Sequence, residues 1–215
     1  WRRFLERKKN KYSIFTPDKI IVDFIYDTMS VNFCSDTVCV SINEKHGLLD
    51  FKGNLLIPLI YSEKLEKVSK YNFRAITDNK KYGVIDVTNK VLIPFEYDYI
   101  STVRLKNDNF YYFVKKNEQT GALDKNYNIL LPLGDYSITQ VIDINRVVVK
   151  NSKGEYSFFL NKEMVIPFKK YHDFWHGCED YNKLLFETSH MRFDTYTLDG
   201  EFLGNYKSEQ IVSGK

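Results

Sequence analysis

Cysteine is scarce in this 215-residue chain, with only Cys34, Cys39 and Cys178 present. Three thiols cannot build a disulfide framework, and none of their spacings fits a CxxC-type zinc site. Cys34 and Cys39 flank Ser35-Asp36-Thr37-Val38 and could face each other across a hairpin; the alternative is a pair of plain buried thiols. That usage, with no signal-peptide pattern at the start, favours a reducing, cytoplasmic compartment. The first residue is Trp1 rather than Met, so a targeting segment could have preceded it. Charge of one sign is also lacking: 31 Lys and Arg stand against 28 Asp and Glu, a net +3, too little to make nucleic acid an obligatory partner. No run approaches the roughly 18 uncharged apolar residues of a bilayer-crossing helix, so no membrane span is expected. With 5 Pro and 10 Gly, the chain is neither collagen-like nor a low-complexity tract.

What the chain has is aromatic and β-branched residues, including 16 Tyr and 16 Phe, which pack well on pleated, half-buried surfaces and point to an all-β fold. The pattern also repeats. Lys45-His46-Gly47-Leu48-Leu49-Asp50, followed by Leu55-Leu56-Ile57-Pro58 and Tyr61, returns 36 residues later as Lys81-Tyr82-Gly83-Val84-Ile85-Asp86, Val91-Leu92-Ile93-Pro94 and Tyr97. A third copy runs through Gly121-Ala122-Leu123-Asp124, Pro132 and Tyr136, and a fourth through Tyr156-Ser157-Phe158-Phe159-Leu160, Pro167 and Tyr171. Degenerate copies end at Tyr26 before these and at Tyr206 after them. The whole of 1–215 therefore reads as one β-repeat domain of six units, roughly 1–30, 31–66, 67–103, 104–140, 141–178 and 179–215.

Each unit divides into strands. The first, such as Tyr82 to Asp86, ends at an Asp able to satisfy turn backbone, and turn residues such as Lys52-Gly53-Asn54 or Thr88-Asn89-Lys90 follow, making a hairpin. The second strand is expected to stop at its proline, which has no amide hydrogen for the ladder. A variable connector then leads to a third strand such as Phe110 to Val114. Three antiparallel strands per unit are expected, closed into a six-bladed β-propeller or, alternatively, left as an open β-solenoid or superhelical array. The recurrent Tyr26, Tyr61, Tyr97, Tyr136, Tyr171 and Tyr206 are read as anchors between units. Gly47, Gly83 and Gly121 are read as sites of close backbone approach or unusual dihedrals.

These residues resemble the bacterial WG repeat family, most clearly at Lys81 to Asp86 with Ile93-Pro94 and Tyr97-Asp98, and at Lys45 to Asp50 with Ile57-Pro58 and Tyr61. The family's Trp is replaced throughout by His46, Tyr82, Thr120 and Tyr156, so the copies are divergent. The resemblance implies a β-repeat array, often a module of larger bacterial proteins, with no catalytic residues to carry over.

Nucleotide-loop, nucleophile-elbow and metalloprotease motifs are absent, and Asp50, Asp86 and Asp124 recur because the same turn recurs. No cofactor and no metal are expected. Uniqueness is the useful filter, and it selects the segment from Lys169 to Cys178, which holds His172, Asp173, Trp175 and His176. His at i and i+4 would share an ion on a helix, yet this segment aligns with the connector, so a binding contact through an exposed Trp and His is the better reading. The basic run Trp1 to Lys11 could meet phosphates, but its place in the repeat marks it as a strand with solvated charges. The leading expectation is a non-enzymatic binding or scaffold module that presents its variable loops to a protein, or else a glycan. The alternatives are an enzyme using His172, Asp173 or His176 around a central channel, and a structural spacer in a larger protein.

Overall fold

In the computed structural model the described residues are 4–32, 36–105, 110–176, 182–208 and 210, and they form six consecutive sheets. Sheet 1 holds β1 (Phe4–Lys8), β2 (Lys11–Thr16) and β3 (Lys19–Tyr26). Sheet 2 holds β4 (Thr28–Asn32), β5 (Thr37–Ile42), β6 (Lys45–Asp50) and β7 (Leu55–Tyr61). Sheet 3 holds β8 (Glu66–Lys67), β9 (Asn72–Ile76), β10 (Tyr82–Asp86) and β11 (Val91–Tyr97). Sheet 4 follows with β12 (Tyr99–Arg104), β13 (Phe110–Lys116), β14 (Gln119–Asp124) and β15 (Ile129–Gly134). Sheet 5 has β16 (Tyr136–Asp143), β17 (Arg146–Asn151), β18 (Glu155–Leu160) and β19 (Glu163–Lys170). Sheet 6 has β20 (Asp173–His176), β21 (Lys183–Ser189), β22 (Arg192–Thr197) and β23 (Phe202–Lys207). In every sheet the strands lie side by side in chain order, and the fold is all-β and built of tandem antiparallel repeats.

Five of the six sheets have four strands where three were expected. The extra strand is the connector after each Tyr: β4, β8, β12, β16 and β20. These strands pair on one side only, so they carry little of the apolar alternation that marks a strand in sequence. The second expectation to change concerns proline. Pro58, Pro94, Pro132 and Pro167 do not end their strands but lie inside β7, β11, β15 and β19. Each of these is the edge strand of its sheet, and the register slips at the same place, as where His46 pairs Tyr61 while Leu48 pairs Ile57. An edge strand that bulges has an amide position needing no ladder bond, and there proline is at home.

The recurrent glycines sit on the middle strand opposite this bulge. A Cβ on Gly47 would lie 2.5 Å from the Ile57 carbonyl oxygen, on Gly83 2.7 Å from the Phe95 ring, and on Gly121 3.1 Å from the Leu131 oxygen. Close approach, rather than a left-handed backbone, explains all three. Ser13 and Ser157 occupy the same position in sheets 1 and 5, and their hydroxyls donate to the matching carbonyls of Val22 at 2.6 Å and Ile166 at 2.7 Å.

The chain divides into two compact units, Trp1–Ile100 and Ser101–Lys215. Within the first, Ile14, Val22 and Tyr26 of sheet 1 pack on Val38, Val40 and Leu49 of sheet 2. The opposite face of sheet 2, through Cys39, Leu48, Ile57 and Tyr61, packs on Phe73, Ala75 and Ile85 of sheet 3. Within the second unit, Tyr111, Ala122 and Leu131 of sheet 4 pack on Val147, Val149 and Phe159 of sheet 5. Val148, Phe158 and Ile166 face the other way, onto Phe174, Leu184 and Phe186 of sheet 6. Successive residues thus enter different cores, and a strand covered on both faces reads as an unbroken apolar run such as Val147-Val148-Val149. Cys39 is a buried thiol, pushed above its ordinary pKa by burial. Cys34 and Cys178 lie outside the described residues, as do Trp1 to Arg3. From Phe4 to Lys8 the basic run is the edge strand β1.

Candidate functional site

The hairpin turns do the work of joining sheets. In sheets 2, 3 and 4 an Asp ends the middle strand and its carboxylate accepts two turn amides: Asp50 from Lys52 and Asn54, Asp86 from Thr88 and Lys90, Asp124 from Asn126 and Asn128. Thr197 plays the part in sheet 6. Three residues after that head the backbone is left-handed, at Gly53, Asn89, Tyr127 and Gly200. In sheets 2, 3 and 6 the turn tip rests on the edge strand of the preceding sheet. Gly53 lies against Val22 and Ile21, Gly200 against Val165 and Ile166, and Asn89 accepts a 2.7 Å hydrogen bond from the Tyr61 hydroxyl. Arg146 clamps the sheet 6 turn from sheet 5, donating to the Leu198 carbonyl at 3.0 Å and to Asp199 at 3.1 Å.

Sheet 5 breaks the pattern. Its hairpin turn is only Asn161-Lys162, both left-handed, which is two residues where sheets 2, 3, 4 and 6 have four. A two-residue turn of this kind matches the twist of the strands but reaches no further. Beside it is a groove of about 420 Å³ between sheets 4 and 5. Asp124, Asn128, Ile129 and Leu130 line it from sheet 4, facing Ile144, Asn145 and the short turn itself. Leu130 occupies in sheet 4 the repeat position that Ile21 occupies in sheet 1, where Gly53 fills the space. The groove is the place of the missing turn.

The second departure from the repeat is at Asp194, which stands at the Gly/Ser position of sheet 6. Its side chain is 8% exposed. Lys169 donates to one carboxylate oxygen at 2.6 Å and Tyr171 to the same oxygen at 3.3 Å, while Asn205 donates to the other at 3.0 Å. Burial drives its pKa up, but the bonds from Lys169 and Asn205 and the nearby ammonium outweigh burial and hold it below the ordinary carboxylate value. The Tyr171 hydroxyl, 3.0 Å from that of Tyr196, is pushed far above its ordinary pKa by burial and by these neighbours. The cluster locks sheet 6 onto the end of sheet 5.

The segment singled out by sequence is a strand rather than an irregular connector. Asp173 and Trp175 are exposed on β20, with Trp175 44% accessible, whereas Phe174 between them turns into the core. His172 is exposed just before the strand, and its amide donates to the Glu187 carbonyl at 2.7 Å. His176 pairs with Leu184 in the ladder. On this extended backbone the i and i+4 spacing of residues 172 and 176 does not have the meaning it would have on a helix. Among the described residues no group of three His, Cys, Asp or Glu side chains gathers at metal-binding distance, and no helix is long and apolar enough to cross a membrane.

The tyrosines divide by environment. Tyr26, Tyr61 and Tyr171 are buried between sheets, the last stacked 4.8 Å from Phe186. Tyr136 is half-buried against Phe159, donates to the Pro132 carbonyl, and has its pKa pushed up to about 12 by burial. Tyr97 is half-buried opposite Tyr82, and Tyr206 bonds its own strand at Leu203. Sequence reasoning reached Lys169 and Tyr171 as members of an irregular segment. It passed over Asp194 and the groove, although both were marked by a departure from the repeat: an acid where Gly or Ser recurs, and a turn two residues short.

Residues 82–119 match the family model described as WG containing repeat. No curated protein matches the sequence. Among solved structures, BamB from Moraxella catarrhalis is similar at 10% identity and a TM-score of 0.37, with 95% of this chain and 72% of that one covered. Hsv2 of Kluyvelomyces marxianus aligns at 11% identity and 0.36, over 92% and 74%. The WD40 beta propeller domain of Doa1 aligns at 11% and 0.33, over 82% and 67%.

Proposed function

We propose that the chain is a non-enzymatic binding and scaffold module that presents its turns and edge strands to a protein partner. One observation carries the reading. One repeat position at the start of the bulged edge strand, its first or second residue, is a large apolar side chain in all six sheets: Ile20, Leu55, Val91, Ile129, Met164 and Phe202, each between 46% and 58% exposed. A single exposed Leu is unremarkable on any protein surface. Six at one repeat position are a different matter, since water alone would accept Lys or Thr there and the neighbouring position already fills the core. The buried acid of the chain supports the same reading, because both Asp194 oxygens are engaged within the fold.

The test is a comparison of the wild-type chain with a variant carrying Leu55→Lys, Val91→Lys and Phe202→Lys. Exposed changes of this kind shift stability by only about 0.5 kcal/mol each, so both proteins fold. With both immobilised in an extract of the source cells, a partner held by the wild type and reduced at least about fivefold on the variant is expected. Equal capture by the two would overturn the reading.

A further inference from the structure

We infer that the groove between sheets 4 and 5 is a receptor for an acidic, glycine-containing β-turn supplied by a protein partner. The inference rests on the binding-module reading and adds to it a site and a partner chemistry. Its template is inside the molecule. Where sheet 6 follows sheet 5, the turn Leu198-Asp199-Gly200-Glu201 lies on the edge strand, with Gly200 against Val165 and Ile166 and Asp199 held by the Arg146 guanidinium. Where sheet 5 follows sheet 4, the corresponding turn is shortened to Asn161-Lys162, and the groove takes its place. The floor is Leu130, the walls are Ile129 and Ile144, and the polar rim is Asn128, Asn145 and Lys162.

The chemistry of that rim selects the ligand. Lys162 is exposed and makes no ion pair among the described residues, so it offers a cation to an incoming carboxylate much as Arg146 does to Asp199. Asp124 keeps its negative charge but is tied to the amides of Asn126 and Asn128 and to the Asn128 side chain on the sheet 4 side, so the incoming acid is directed to Lys162 on the sheet 5 side. The Asn145 and Lys162 side chains stand at the mouth, where turn carbonyls and carboxylates would arrive, and a glycine at the tip allows the backbone to approach Leu130 as Gly53 approaches Val22.

The experiment uses the full chain, labelled with nitrogen-15, and a peptide of the sequence Tyr196 to Leu203 closed into a hairpin by added terminal cysteines. Saturable amide shifts are expected at Ile129, Ile144, Asn145 and Lys162. Lys162→Glu should weaken binding at least about fivefold, as loss of a charge-assisted contact does. The same should follow when both acids of the peptide are changed to Lys. A second variant, with Gly-Asn inserted between Asn161 and Lys162, fills the groove from within and should abolish the shifts while keeping the thermal midpoint. Absence of saturable shifts at these residues overturns the inference, as does equal binding by the lengthened-turn variant, or saturation by a chitin or glucan oligosaccharide in place of the peptide. The edge-strand variant of the preceding test retains Lys162 and the short turn. Loss of partner capture with peptide binding intact, or the reverse, therefore separates the failure of one reading from the failure of the other.

Discussion

At position 47 a methyl group would stand 2.5 Å from a backbone oxygen that the bulge of β7 pins in place, whereas at position 121 the equivalent oxygen is 3.1 Å away. Substitution at the two positions should therefore have unequal effects. Gly47→Ala is expected to destabilise by about 2 kcal/mol, within the usual range for overpacking. Gly121→Ser is expected to be near neutral, because Ser13 and Ser157 already show a hydroxyl bonding the carbonyl at that position. Urea midpoints of the two variants check this, and an equal loss in both would mean that the bulge yields where we take it to be rigid. The residue scale was partly legible in sequence. The recurrence of Gly47, Gly83 and Gly121 announced a constraint, but its cause lay in the approach of an edge strand whose bulge leaves no periodic trace.

Among the elements, β22 and the end of β19 are joined by charge. Asp194 titrates below the ordinary carboxylate value in the folded protein, so the unfolded chain takes up its proton first as pH falls. The stability this carboxylate contributes is complete above the ordinary value near pH 4 and is lost as pH drops through it toward the lower folded value. Tyr136 behaves in the opposite sense. Its folded pKa is raised to about 12, so its contribution is present below pH 10 and fades as pH rises between the two values. Asp194→Asn is expected to cost about 2 kcal/mol at neutral pH, as for a hydrogen bond to a charged group. It should also flatten the decline in urea midpoint between about pH 5 and pH 3. An unchanged acid limb would remove Asp194 from the account of how sheet 6 is held. The elements themselves were legible to differing degrees. Hairpins were plain, because Asp-headed turns and two-sided burial write themselves into the sequence. The connector strands were not, since a run such as Glu66–Lys67 offers no apolar side chain and pairs through its backbone and an Arg74–Glu66 ion pair.

On the scale of the molecule, the two compact units each enclose complete cores, those of sheets 4, 5 and 6 lying wholly in the second. A fragment of residues 99–215, cut ahead of β12 so that sheet 4 is whole, is expected to fold alone, with a β-type circular dichroism spectrum and one cooperative thermal transition. A disordered spectrum would show that the first unit is needed to hold the second. The short Asn161-Lys162 turn was legible in sequence as a departure from the repeat, but the groove it leaves is a property of a junction, formed only where Leu130 and that turn are brought face to face.

The unit of sequence and the unit of structure are out of phase. The stretch 82–119 supplies β10 and β11 to one sheet and β12 and β13 to the next, so a copy of the motif is never itself a sheet. Inheritance can exploit this. Loss of residues 119–154, one period of 36, would join β13 to β18, and β12, β13, β18 and β19 would still number four strands in meander order. A recombination event between copies would thus heal within a turn, with no strand left over and none cut. Such a gene can lengthen or shorten by whole periods, while the sheet at the junction becomes a chimera that takes its first two strands from one sheet and its last two from the next.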